Sequence, residues 1–163
     1  MTADGLRPGD VLLYPASSLF GKLIALKTWH SISHVEVFIG AGESVASRDG
    51  KGVARYSARL GDVKHALRPT QPVDLSAALR WFNASAAGQP YGWFDLLAFV
   101  GVTKDGPGMV CSSFATQFLR AGGLPIFRDE PPNRIAPFQF LTSELLRPVG
   151  APEEPAHASC VHP

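Results

Sequence analysis

Cysteine is scarce in this chain. Two cysteines in 163 residues are too few for a disulfide framework, and they stand far apart. Cys160 lies in a Pro- and Ala-rich C-terminal stretch, well away from the glycine-bounded segment that holds Cys111. No Cys-x-x-Cys spacing is present to cage a metal, no cofactor is implied, and the thiol usage is that of an intracellular protein. Long apolar runs are missing as well: none approaches the ~18 residues of a membrane span, and residues 1–10 carry no basic region followed by an apolar stretch. The expectation is a chain made in the cytoplasm, with no transmembrane segment and no signal peptide. Nor does one sign of charge dominate. The 15 Lys and Arg and 14 Asp and Glu are interspersed, which leaves no electrostatic footprint for nucleic acid or an anionic membrane. There is no internal repeat. Ordinary apolar content is enough for one core. The reading is one domain over residues 1–148, followed by a tail, 149–163, whose Pro, Ala and Glu show no apolar period and are expected to be disordered.

What is present centres on Met109-Val-Cys-Ser-Ser-Phe-Ala-Thr-Gln-Phe-Leu-Arg-Ala-Gly-Gly123. Gly106-Pro107-Gly108 breaks the chain before it, Ser112 and Ser113 suit a first helical turn, and Gly122 or Gly123 supplies the left-handed residue that ends a helix. Cys111 therefore falls at or just before a helix N-terminus, where unpaired N–H groups and the positive end of the macrodipole favour a thiolate. Cys111, Phe114, Ala115, Phe118 and Leu119 also share one apolar face, so the same pattern describes a core thiol. A base elsewhere has to decide between the two.

Earlier in the chain, Pro8-Gly9 turns into a short apolar strand ending at Tyr14, with Asp10 at the bridgehead. A helix is predicted over residues 17–29. Residues 33–39 alternate as a strand, with Val35, Val37 and Ile39 on one face and His34, Glu36 and Phe38 on the other. An imidazole and a carboxylate thus stand ~7 Å apart along one face. The Gly40-Ala-Gly42 and Asp49-Gly-Lys-Gly52 turns separate strands at residues 43–48 and 53–56, and a further strand is expected at 62–67, making an antiparallel meander. Asp74 caps a helix that runs to Asn83 and ends near Gly88. Residues 94–100 read as a buried helix, and 135–146 as a last short helix started by Pro137.

A thiol hydrolase needs a thiolate, an imidazole that pairs with it and later protonates the leaving group, and a polar group that fixes the imidazole. Cys111 and His34 supply the first two. The elements Pro8-Gly-Asp-Val-Leu-Leu-Tyr14, Ser33-His-Val-Glu-Val-Phe-Ile-Gly40, Gly50-Lys-Gly-Val53, Gly88-Gln-Pro-Tyr-Gly-Trp-Phe-Asp95, Val110-Cys-Ser-Ser-Phe114 and Arg134-Ile-Ala-Pro137 follow in an order, histidine first and cysteine much later. That order resembles the circularly permuted NlpC-type papain-like cysteine hydrolases, which include YiiX-like hydrolases and relatives of lecithin:retinol acyltransferase. The resemblance covers nearly the whole chain except the tail. It implies an α+β, permuted papain-like fold in which an antiparallel sheet carrying the histidine packs against the cysteine helix.

It also implies a third catalytic residue on the strand after the histidine strand, where the count reaches Ala46. Alanine cannot orient an imidazole, so the role passes either to Ser47, by a register shift of one, or to Glu36. Glu36 is favoured because a carboxylate also stabilises imidazolium. Tyr14 is a candidate to hold the oxyanion beside the Cys111 N–H. His30 and His65 are weaker candidates for the base, and His157, Cys160 and His162 form no convincing metal site. The expected activity is hydrolysis of an amide through a thioester, on a cell-wall peptide of the peptidoglycan type or a related amide. The alternatives are an acyl-lipid hydrolase or acyltransferase, or a phage or bacterial interaction module that keeps the fold without catalysis. Delivery to the cell wall, or carriage in a virion, belongs to the same expectation.

Overall fold

A computed structural model describes residues 5–16, 31–92 and 108–150. The helix expected over 17–29, the apolar segment 94–100 and residues 151–163 lie outside these, as do His30, His157, Cys160 and His162. The described elements are β1 (Val11–Pro15), β2 (Ile32–Gly40), β3 (Glu43–Arg48), β4 (Gly52–Ser57), a 3₁₀ turn (Leu60–Asp62), β5 (His65–Pro69), α1 (Leu75–Trp81) continued by a π turn (Phe82–Ala86), α2 (Cys111–Ala121), 3₁₀ turns at Pro132–Arg134 and Pro137–Thr142, and β6 (Leu146–Pro148). The fold is α+β, with one six-stranded sheet in the order β4-β3-β2-β1-β5-β6 and every registered neighbour antiparallel. No described helix is long and apolar enough to cross a membrane.

Strand alternation sorts the sheet into two unlike faces. Val11, Leu13, Val35, Val37, Val45, Val53 and Leu67 bury one face against Phe114, Ala115, Phe118 and Leu119 of α2 and against Ala78 and Phe82. On the other face Leu12, Tyr14, Phe38 and Ala66 form a smaller cluster with Leu6, Leu60, Val63 and Val149. The register pairs Tyr14 with His34 and Leu12 with Glu36, so His34 and Glu36 of β2 belong to this second face. Asp10 ties its entry together, accepting from Arg7 N at 2.7 Å and from the Arg68 guanidinium at 2.8 and 3.0 Å.

Helix ends follow local chemistry. Asp74 caps α1, its side chain accepting from Ala77 N at 2.9 Å, although regular α-helix stops at Trp81 and the turn to Ala86 is of the wider π type. α2 starts at Cys111, with the extended Val110 as N-cap and no side-chain cap bond. At its other end the two glycines serve different needs. Gly123 has φ +86°, the left-handed conformation that closes the helix. Gly122 is packed so tightly that a Cβ would stand 2.5 Å from Val73 Cγ1.

Three expectations shift. The strand placed at residues 62–67 begins only at His65, because Leu60–Asp62 forms a 3₁₀ turn and pairing with β1 starts at Leu13↔His65. The helix expected over 135–146 contracts to the 3₁₀ turn Pro137–Thr142. Its last residue instead opens β6, where Leu146, Arg147 and Pro148 pair with Pro69, Arg68 and Leu67. An unpaired edge of β5 takes up backbone that no helical period could hold. Val149 continues past the expected domain end, donating to Ala66 O at 2.8 Å.

Candidate active site

Pairing of β2 with β3 is registered from Gly40↔Glu43 to Val37↔Val45. No pairing with β3 is registered for the start of β2, and the N-terminus of α2 lies against it: Cys111 Sγ lies 3.9 Å from the Ser33 carbonyl oxygen. The approach to Cys111 is held on both sides. Ser47 Oγ donates to Met109 O at 2.5 Å. Residues 90–92 zip onto the same stretch, Met109 N donating to Pro90 O at 3.2 Å and Gly92 N to Met109 O at 3.1 Å. Gly108 permits that approach, since its φ is +110° and a Cβ would stand 2.7 Å from Pro90 O.

Cys111 is free and buried, with 2% of its surface exposed. His34 follows directly on Ser33, whose carbonyl oxygen is the group 3.9 Å from Sγ, and keeps 16% of its side chain exposed. Its Nε2 lies 3.0 Å from Glu36 Oε1. A carboxylate only accepts, so Nε2 carries a proton toward Glu36. Burial by itself pulls the imidazolium down. The charge and hydrogen bond of Cys111, followed by those of Glu36, outweigh it and push His34 up to about 9.

Glu36 is fully buried, yet ionised. Desolvation would raise its pKa, but hydrogen bonds from His34, Arg48 and Ser44 hold it down at about 2. Arg48 clamps it with two prongs, Nε to Oε1 at 2.8 Å and Nη2 to Oε2 at 3.0 Å. Ser44 Oγ donates to Oε2 at 2.5 Å and Tyr14 OH at 3.4 Å. A buried carboxylate left alone would cost several kcal/mol, and this enclosure offsets that cost. The Arg48 guanidinium also stacks 4.2 Å from the Tyr56 ring centroid.

The candidates from sequence divide clearly. His34 and Glu36 are joined by a hydrogen bond and Cys111 lies at the carbonyl of the neighbouring Ser33, while Ala46, fully buried, carries no group to add. Ser47 is turned to the Met109 carbonyl. Tyr14 turns its hydroxyl to Glu36 and its ring to His34, 5.8 Å between centroids. Burial and the Glu36 charge raise its pKa well above the ordinary value, which keeps it a donor. His65 opens β5, two strands away from β2.

Sequence reading missed Ser44, Arg48, Arg59 and Tyr91. The first two were within reach of strand alternation, which puts residues 44, 46 and 48 on one face. Arg59 lies in the loop after β4 and carried no local signal. Tyr91 is nearly buried and bridges Met109, which an extended Val110 places on the same side as Cys111. Its phenol is raised by burial, then by the charges of Cys111 and Asp49. Among the described residues no group of three or more His, Cys, Asp or Glu is placed to hold a metal ion. The chain matches no protein-family model and no curated protein sequence.

Proposed function

We propose that this protein is a cysteine hydrolase that cleaves an amide through a thioester, on a peptide of the cell-wall type, in a permuted papain-like fold. The observation that supports the reading is that Cys111 Sγ lies 3.9 Å from the Ser33 carbonyl oxygen while the next residue, His34, is held by the buried Glu36 carboxylate at 3.0 Å.

In the first half-reaction the Cys111 sulfur attacks the carbonyl carbon, and an S–C bond forms as the carbonyl π pair moves to oxygen. Collapse of the tetrahedral species breaks the C–N bond, and the His34 imidazolium passes its proton to the departing amine. The elevated pKa of His34 keeps that proton available at neutral pH. Acylation then removes the interaction with Cys111, which is the largest influence holding the proton on His34. The imidazole can now take a proton from water, and hydroxide attacks the thioester. The S–C bond breaks and the sulfur recovers its electron pair. Throughout, Glu36 fixes the ring orientation and the Nε2–H tautomer.

The reading is tested by limited iodoacetamide at pH 6 with peptide mass mapping, beside turnover of peptidoglycan peptides and acyl lipids by the native protein and by Cys111→Ala. Cys111 is expected to be alkylated ahead of Cys160, His34→Ala to erase that preference, and turnover to vanish in Cys111→Ala. Alkylation of Cys111 only after denaturation would make it a packing thiol and remove the nucleophile.

A further inference from the structure

The Glu36 carboxylate offers roughly four lone-pair sites, and five donors already occupy it: His34 Nε2, Arg48 Nε, Arg48 Nη2, Ser44 Oγ and Tyr14 OH. A second guanidinium arrives too late to share in it. Arg59 Nη2 stops 3.7 Å from Oε1, beyond hydrogen-bonding distance. Its Nε is buried without a partner, and its guanidinium rests 4.8 Å from the Tyr14 ring centroid. The side chain is 38% exposed. One carboxylate therefore faces two arginines and an imidazole, and Arg59, which holds the longest of these ion pairs, is the most solvent-exposed of the three cations. Arg59 and His34 flank the same oxygen atom of Glu36, at 3.7 and 3.0 Å.

We propose that Arg59 anchors an anionic group, foremost a carboxylate, on the substrate beside the scissile bond. The inference rests on the hydrolase reading for its catalytic context and names the substrate class of that site: an acyl compound with a negative charge a few bonds from the carbonyl under attack. A guanidinium suits this work because its planar fork meets a carboxylate with two parallel N–H donors. The Tyr14 face beneath it limits its rotation, which lowers the entropy lost when an anion docks.

The test compares three chromogenic esters of similar length at low ionic strength: 4-nitrophenyl butyrate, mono-4-nitrophenyl glutarate and 4-nitrophenyl 4-phosphonobutyrate. The two anionic esters separate carboxylate from phosphate-like recognition. The carboxylate ester is expected to exceed the neutral one in kcat/KM by roughly 10- to 100-fold, the worth of a hydrogen bond to a charged group. Arg59→Gln should bring that ratio to about one. Arg59→Lys keeps the charge without the fork and should lower the ratio several-fold, and an unchanged ratio there would remove the guanidinium as anchor. A parallel arm needs no turnover: glutarate or inorganic phosphate should raise the melting temperature of the native protein and not of Arg59→Gln. If neither anion stabilises the native protein and no ester preference exists, the subsite is refuted. If the Arg59-dependent stabilisation is seen while ester hydrolysis proves independent of Cys111, the subsite holds and the hydrolase reading falls.

Discussion

Replacing the sulfur of Cys111 by oxygen should release the proton that His34 holds. The folded protein keeps His34 protonated up to about 9, against 6.5 for the free side chain. At 1.36 kcal/mol for each unit, the difference corresponds to about 3 kcal/mol of preferential stabilisation of the imidazolium. His34 is only 16% exposed, so solvent screening takes little of this back. The folded value lies above the unfolded one. Its contribution to stability is therefore complete below pH 6.5 and is lost as pH rises through about 9. The assay is a proton NMR titration of the imidazole Cε1–H, with His34 identified among the five histidines by the spectrum of His34→Gln. In Cys111→Ser, which keeps the shape and removes the ionisable sulfur, the His34 midpoint should fall toward 6.5. Glu36→Gln should lower it less, because the contributions of Cys111 precede those of Glu36. Thermal unfolding gives an independent reading. Between pH 6.5 and 9.5 the native protein should lose roughly 5–10 °C more in melting temperature than Cys111→Ser, at ~2–4 °C per kcal/mol for a chain of this size. A native His34 that titrates near 6.5, unchanged in Cys111→Ser, would refute the pairing of imidazole and sulfur.

Other outcomes follow from the same geometry. Glu36→Gln should lower turnover by roughly 10- to 1000-fold with the fold intact, since an amide can hold the ring without stabilising its charge. The steady-state rate of Ser47→Ala is the comparison, and a silent Glu36→Gln beside a damaging Ser47→Ala would transfer the supporting role to Ser47. Arg48→Ala should cost about 3 kcal/mol in urea unfolding by leaving the Glu36 charge under-compensated, and adding Glu36→Gln should restore part of it; strict additivity of the two would contradict the clamp. At Gly52, φ is +77° and a Cβ would run into the Gln89 carbonyl oxygen. Gly52→Ala should therefore lose at least about 2 kcal/mol, and a neutral result would mean that residues 88–90 can move off β4.

Local chemistry wrote much of this protein into its sequence. The alternation of residues 33–39 placed His34 and Glu36 on one face, and the glycines at 40, 42, 50 and 52 marked the turns between strands. Asp74 announced the start of α1, while Gly122 and Gly123 announced the end of α2. Each of these depends on a residue and its neighbours within a turn or two, so a period or a cap is enough to read it. Other features depended on contacts between distant segments. Whether residues 146–148 coil or pair was decided by the free edge of β5. That Ser47 would hold Met109 rather than His34 was decided by where the approach to Cys111 runs. Tyr14 looks toward Glu36 because β1 lies beside β2 in one register, and Arg59 reaches the site only because a loop folds over that face. Most of all, sequence could name a thiol and an imidazole 77 positions apart, but only the packing of the α2 N-terminus against the start of β2 set Cys111 at the Ser33 carbonyl, next to His34. Such a meeting is a property of nonlocal packing, and no periodicity along the chain encodes it.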